Sequence, residues 1–506
     1  MPVDSKKIAK NTLFLYVRMF FILICNLFVV RVVLNALGIE DFGINNVVGG
    51  IVMMCSFLTS TMNAASQRFF SFELGRKNFR NLSECFLTTL WGYLGLSILI
   101  LLIAETVGIW FVVNKLNVPY HRMSAALWVY QASVVTFIFN IISIPYNSIF
   151  IAREKMNFYA YMGLLEVVLK ISIAYMLFTY SGDRLKLYAV LLCIAMSVPS
   201  FCYVIVGSLK FTECKIRTYW NKKIFVEIFS YSCWNLFGAM SAVLRSQGVN
   251  ILLNMFFGPV VNASRAIAFQ VSSAINHFVV NFFKAVQPQI VKTYASNERT
   301  RMLNLVYTSS KICFYLLFII ALPVFWGTPF ILQTWLGTVP QQAVYFTRLV
   351  VILSLIESTI YPLQTALMST GNIKWYQIFT GGLLLLNLPI SWLCLSFGCS
   401  AASTFYVSIV LAIVAQISRI IFMKKMLLMP IKIFFKRTLL PIALVVIFGV
   451  AISLAINEYI QITGYIDLFK MVAFTTISIL FMTLGVGLSK TEKKYLRSFV
   501  VRRIKK

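Results

Sequence analysis

Long apolar runs follow one another from end to end of the chain, separated by short polar segments where lysine and arginine gather. Fourteen runs stand out, at 11–37, 42–65, 83–113, 122–150, 159–180, 187–209, 224–257, 260–286, 304–332, 343–370, 377–397, 403–422, 438–457 and 469–488. Each is near or above the roughly 20 residues with which an α-helix crosses the hydrocarbon of a bilayer. None alternates with a period of two, and a backbone in lipid is satisfied only in helices or closed barrels. The pattern therefore predicts an all-α polytopic membrane protein of about 14 transmembrane helices. No connecting segment is long enough for an extramembrane domain, so any function belongs to the helical bundle itself. The first run, preceded by Lys6, Lys7 and Lys10, is too long for the core of a signal peptide and reads as a retained first span.

The charges test this map. With the N-terminus placed in the cytoplasm, inner loops and ends hold 31 of the 45 Lys and Arg, outer loops and ends hold 5, and 9 lie inside runs. Such an asymmetry is the positive-inside signal and predicts that both termini face the cytoplasm. It also gives the net charge of +29 a bland origin in membrane topology, with no need of nucleic acid.

The chain repeats itself weakly. Val33-Leu34-Asn35 leads to Gly38 and, later, Gln67; Leu252-Leu253-Asn254 leads to Gly258 and Gln287, both at an offset of 220. Phe158-Tyr159 is echoed by Trp375-Tyr376 at 217. These matches fall at equivalent places in the topology and predict two six-helix lobes in parallel, 1–210 and 211–423. A basic linker at the inner surface (424–437), two extra helices (438–488) and a basic cytoplasmic tail (489–506) complete the chain. Repeat-built transporters bind substrate near the midplane, at the repeat interface. The basic stretches Lys424–Arg437 and Thr491–Lys506 alternate with apolar residues and are read as anchors on anionic lipid.

Composition agrees: 59% of residues are hydrophobic, 12% are charged and the mean hydropathy is +0.83. The ten cysteines are scattered inside apolar runs without a Cys-x-x-Cys, and the two histidines are far apart, so neither a disulfide frame nor a metal site is expected. No nucleotide-binding motif or catalytic constellation is present, and no cofactor is expected.

The informative chemistry is the charge buried in the runs. Ionisable groups in a membrane are expensive and face a partner or a wet cavity. The cations are Arg18, Arg31, Lys170, Arg245, Arg265, Lys284, Lys311, Arg348 and Arg419; the acids well inside are Glu166, Glu357 and, nearer an end, Glu105. Arg419 and Lys284 sit near inner ends, within snorkelling reach of the interface. Lys170 follows Glu166 by four residues on one helical face, a spacing suited to a salt bridge. Arg245, some 20 residues into the seventh run, is the hardest to explain by snorkelling. There are too few acids to pair all these cations, and an unpaired buried guanidinium needs water or an anionic ligand. Arginine's planar fork suits phosphate. Arg245, Arg18, Arg31, Arg265, Arg348 and Lys311 are therefore the candidate substrate-binding residues. Glu357 is either a proton or sodium coupling site or the partner of a neighbouring arginine.

Lys10-Asn11-Thr12-Leu13-Phe14-Leu15-Tyr16-Val17-Arg18, the segment Arg31 to Gly43, Val48-Gly49-Gly50-Ile51, Gln67-Arg68-Phe69 with Glu73-Leu74-Gly75, Trp335-Leu336-Gly337, and Thr370-Gly371-Asn372-Ile373-Lys374 together resemble the bacterial polysaccharide flippases. These are the O-antigen and capsule repeat-unit translocases, in the superfamily that also holds the multidrug and toxin extruders. The resemblance implies two six-helix lobes around a central cavity, alternating access, and a cargo of undecaprenyl-diphosphate-linked oligosaccharide. It also implies a place in the inner membrane, among membrane lipids and other polysaccharide-assembly proteins. In such relatives arginines of the first, seventh and eighth spans line the cavity, which here implicates Arg18, Arg31, Arg245 and Arg265. Asp41 resembles a gating position, with Arg31 its nearest candidate partner. Gating or coupling residues are thus expected among Asp41, Glu357, Glu166 and Lys170.

The first span lacks the coupling aspartate common in the multidrug branch. A cation-coupled multidrug antiporter remains the alternative, and would use Glu357 or Glu166. A membrane sugar polymerase or ligase would need a sizeable outer loop, which is missing.

Overall fold

The computed structural model describes residues 5–54, 56–114, 118–337, 339–460, 462, 464–489 and 492–493, and the described residues form helices joined by short turns, without a strand. Twelve helices among them are long and apolar enough to cross a membrane, and a shorter apolar helix spans Asn11–Ile22. The first two runs of the sequence lie in α1 (Ser5–Met54), which is folded at Gly38, and α2 (Ser56–Arg76). The surface is apolar where a soluble protein's would be polar: Ile98, Leu102, Ile447 and Phe481 are 59–73% exposed. Such a surface requires lipid around it.

Among the described residues, Lys7–Leu236 forms one compact unit and 237–493, with Ser5 and Lys6, the other. The N-terminal unit contains α1, α2, α3 (Phe79–Asn114), α4 (Tyr120–Ala152), α5 (Met156–Thr179) and α6 (Arg184–Lys210), with α4 running against α2 and α6. The boundary falls inside α7 (Lys222–Phe257), beyond the loop near 210, because the first turns of α7 close on the N-terminal helices. Phe225 covers Gly92, where a Cβ would come within 2.8 Å of its ring, and Tyr231 meets Phe69 edge-on. Polar side chains start the helices where the sequence offers them: Asp183 accepts from the Leu185 and Lys186 N–H groups, and Asn221 from those of Lys223 and Ile224.

The C-terminal unit contains α8 (Pro259–Ala295), α9 (Arg299–Leu336), α10 (Ala343–Ser369), α11 (Lys374–Ser396) and α12 (Ser403–Leu427). Helices α8, α9 and α10 pack on one another and α10 on α12. Two further helices, α13 (Ile431–Tyr459) and α14 (Tyr465–Gly487), pair and dock on α9. Phe314, Phe318 and Leu322 of α9 meet Ile442, Val445 and Ile479 there. Gly449 lets α13 approach, since a Cβ at that position would sit 2.9 Å from the Phe318 ring. Helix α13 starts inside the expected basic linker, capped by Pro430, whose φ of −73° and ψ of 108° place it just outside the helix.

The repeat is written in the backbone. Gly38 (φ 80, ψ 170) and Gly258 (φ 78, ψ −173) share one conformation at the break after the first helix of each half. Lys77 (φ 57) and Asn297 (φ 59), also 220 apart, sit left-handed at the next break. Each is followed by the same turn: Asn78 N–H donates to Glu73 O, and Glu298 N–H to Thr293 O. Glu154 (φ 59) and Gly371 (φ 81), 217 apart, mark the third. The conformation at Gly38 and Gly258 is open essentially to glycine alone. A Cβ at either site would meet nothing within 4 Å. Gly38→Ala and Gly258→Ala should therefore each destabilise by about 1–3 kcal/mol through backbone strain alone, read from thermal unfolding in detergent. An equal Tm in either variant would contradict this.

Candidate functional site

The C-terminal unit gathers charge on α7, α8 and α10. Arg245 of α7 directs Nη1 and Nη2 at one oxygen of Glu357 on α10, both at 3.3 Å. The pair is partly accessible, with side chains 19% and 34% exposed. Five residues beyond Arg245, Asn250 accepts from Arg265 Nε of α8 at 2.6 Å. The Arg265 guanidinium lies 4.4 Å from the Phe269 ring centre and 5.3 Å from that of Phe405. Arg265 is 3% exposed, and its Nη1 is buried without a hydrogen-bond partner. Arg245 is close enough for the two charges to act on each other. The cluster thus holds two guanidinium groups and one carboxylate. A neutral network adjoins Glu357 along α10: Ser354 and Ser272 are 2.7 Å apart, and Asn276 Nδ2 donates to both hydroxyls.

The other expected cations are disposed differently. Arg348 donates from Nε to the Phe325 carbonyl at 3.1 Å. Pro329, four residues on, has no N–H to give that carbonyl, so Arg348 replaces a missing helix bond. Lys311, expected at the substrate, is 3% exposed and donates to Glu492 at 2.7 Å. Thr308 and the Ser489 N–H hold the same carboxylate. Burial would raise the Glu492 carboxyl, but the bond from Lys311, the Ser489 N–H and the lysine charge hold it below the usual carboxylate range. Arg419, expected to snorkel, is 6% exposed and donates to the Tyr376 hydroxyl.

In the N-terminal unit Arg18 lies 4.4 Å from the Tyr159 ring centre, over Gly163, whose missing Cβ makes room for its Nε. Lys170 and Glu166 form the expected i, i+4 pair at 2.6 Å. The Arg31 side chain lies outside the described residues. Asp41, for which Arg31 was the expected partner, receives two bonds from Arg122, at 2.8 Å from Nε and 2.5 Å from Nη2. Arg122 also reaches Asp183 at 3.2 Å, and Arg184 donates to the Ala36 carbonyl just before the Gly38 fold. Arg122, Asp183 and Arg184 are positions the sequence reading passed over. Their signal was present, in that Arg122, Arg184 and Lys186 are three of only five outer cations.

Within the clamp of α1, α4 and α6 at Arg122, the titration of Asp183 is displaced. Burial would raise the Asp183 carboxyl, but the Lys186 N–H and the Arg122 guanidinium outweigh it and hold it below its ordinary value. A depressed carboxylate contributes stability above its unfolded value, near 4, and loses it as pH falls through the folded one. Wild-type Tm should therefore drop below about pH 4. Arg122→Gln should remove about 2–3 kcal/mol at neutral pH, less than for a fully buried pair, and flatten that acid slope. An unchanged slope in the variant would show that Arg122 does not set it.

No family model and no curated protein matches the sequence. Solved structures match the fold. An outward-facing multidrug-resistance transporter of the MATE family, within the MOP superfamily, aligns with a TM-score of 0.72 at 12% identity, over 83% of this chain and 95% of that one. A MOP-superfamily transporter from Pyrococcus furiosus, described as having a binding pocket of reversed polarity that suggests a different function, aligns at 0.70 and 11%, over 83% and 95%. MATE in its straight conformation aligns at 0.72 and 12%, over 83% and 96%. The chain is thus an all-α, multi-pass membrane protein with a MATE-like fold. At this identity the likeness carries the fold alone.

Proposed function

We propose that the chain is a flippase that moves an undecaprenyl-diphosphate-linked oligosaccharide from the inner to the outer leaflet of a bacterial cytoplasmic membrane. In this reading the Arg245–Arg265–Glu357 cluster is exposed alternately to either side, both termini are cytoplasmic, and membrane lipids and other polysaccharide-assembly proteins are its neighbours. The observation that carries it is the excess cation of that cluster. Arg265 is buried with an unpartnered Nη1 and no carboxylate of its own among the described residues, a state that calls for an anionic group. A diphosphate offers the planar arginine fork two oxygens. An oligosaccharide headgroup needs such a protein, since every hydroxyl stripped of water without a partner costs several kcal/mol in hydrocarbon. An inside-negative potential of 100 mV would favour outward passage by about 2.3 kcal/mol per negative charge.

The test uses proteoliposomes carrying a fluorescent undecaprenyl diphosphate saccharide in one leaflet. Arg265→Ala should slow translocation by roughly 10- to 150-fold, the equivalent of one lost charged hydrogen bond of about 1.5–3 kcal/mol. Wild-type rates at normal protein level would remove the proposal's foundation. The second reading, a cation-coupled multidrug antiporter, is favoured by the partly accessible carboxylate of Glu357 and by the multidrug-resistance transporter among the fold's relatives.

A further inference from the structure

The N-terminal unit holds a half-open cavity of about 370 Å³ between α1, α2, α4 and α6. Its size falls in the range of small-ligand sites. Among the described residues no ionisable acid or base lines it, apart from the Cys193 thiol. The polar lining is amide and hydroxyl: Asn45, Asn63, Asn140 and Asn147, with Ser133, Thr136 and Ser143 among the hydroxyls.

The hydrogen-bonding capacity left over is mixed. Asn63 Oδ1 is taken by Gln67 Nε2 and by the Ser148 hydroxyl, both at 2.8 Å, while its two amide N–H donors have no acceptor among the described residues. Asn147 Oδ1 is buried with no partner. The hydroxyls of Ser133, Thr136 and Ser143 donate to carbonyls of their own helix, at Val129, Ala132 and Asn140, and keep acceptor lone pairs for the cavity. An anion would want donors and positive charge; a metal cation would want acceptors and negative charge. Spare donors and spare acceptors without charge suit a group that is itself both, and a sugar hydroxyl is both. Val129, Phe137 and Leu192 supply an apolar wall for the C–H face of a ring.

We propose that this cavity is a binding site for uncharged, polyhydroxylated rings: the saccharide part of the cargo, apart from the arginines that take its phosphate. The proposal rests on the flippase reading for the source of the sugar, but its chemistry is tested separately.

Full-length protein in detergent is melted with a panel of neutral probes, namely hexose, N-acetylhexosamine and deoxyhexose disaccharides, and in parallel with undecaprenyl diphosphate bearing no sugar. Neutral saccharide should raise Tm in a dose-dependent way, as any ligand of the folded state does. Asn147→Leu and, independently, Asn63→Leu should abolish that rise while leaving the rise from the sugar-free diphosphate intact. Arg265→Ala should do the reverse. A variant counts only if its Tm without ligand matches the wild type; should both fail this, slowing of Cys193 alkylation by saccharide, with Cys233 and Cys399 unaffected, replaces it. No response of wild-type Tm or of Cys193 to any neutral saccharide overturns the proposal, and so does an equal response in both asparagine variants. If the diphosphate arm alone fails, the flippase reading falls while the saccharide site stands.

Discussion

Glu492→Gln should destabilise the protein by about 3–5 kcal/mol, because it strands the Lys311 ammonium in the interior without a counter-charge. Lys311 is 3% exposed and Glu492 is its partner at 2.7 Å, with no other described carboxylate in reach to stand in. Removing one member of a buried pair is far worse than removing both. Lys311→Met in the Glu492→Gln background should therefore recover most of the loss, since the methionine needs no partner where the ammonium did. Thermal unfolding of the two single variants and the double variant in detergent reads the coupling. A single variant within 0.5 kcal/mol of wild type, the usual spread at unremarkable surface sites, would mean that the tail does not hold α9. The wild-type contribution is present at neutral pH and fades as pH falls through the depressed value of Glu492.

Glu357→Gln separates the two functional readings. If the C-terminal cluster binds a diphosphate, the carboxylate competes with the ligand for Arg245, which now spends both Nη groups on one oxygen. Removing it frees that fork and deletes a like charge beside the incoming phosphate. Binding of the sugar-free undecaprenyl diphosphate should tighten by about 10-fold or more, since a charged hydrogen bond is worth roughly 1.5–3 kcal/mol. Translocation should slow, because tighter binding of the cargo alone deepens a ground state. If the chain is a cation-coupled antiporter, the same substitution should leave diphosphate affinity flat and abolish proton- or sodium-driven drug export. Calorimetry on the purified variant and export in vesicles give the two readouts. Weaker diphosphate binding would contradict the competition.

The fold was legible because lipid imposes a single rule on every span, and the rule leaves its mark on hydropathy and on loop charge. The repeat was legible at Gly38 and Gly258 because no other residue adopts that backbone at ease, so the glycines had to recur. The Glu166–Lys170 pair was legible because its partners are four residues apart on one helix. Partners across helices were not. Asp41 meets Arg122 at a separation of 81 residues and Lys311 meets Glu492 at 181, and which side chains face each other there depends on packing angles that periodicity does not encode. Arg348 shows the same limit: the sequence marks it as a cation in the membrane, but its role depends on Pro329 in another helix. The neutral cavity escaped notice for a different reason. Serine, threonine and asparagine in apolar helices commonly bond their own backbone or a neighbouring helix, and only the count of unused donors and acceptors distinguishes a site from packing.

The guanidinium on the Phe325 carbonyl also ties two helices into one mechanical element. Pro329 leaves the Phe325 carbonyl of α9 without its helical N–H, and α10 supplies the only described donor to it from another helix. Sliding α10 along α9 would uncover that oxygen, whereas rotation of the two together would not. Motion that carries α9 and α10 as a single lever is therefore the inexpensive one, and a lysine at 348, lacking the Nε donor so close to the helix, would loosen the lever without changing its charge.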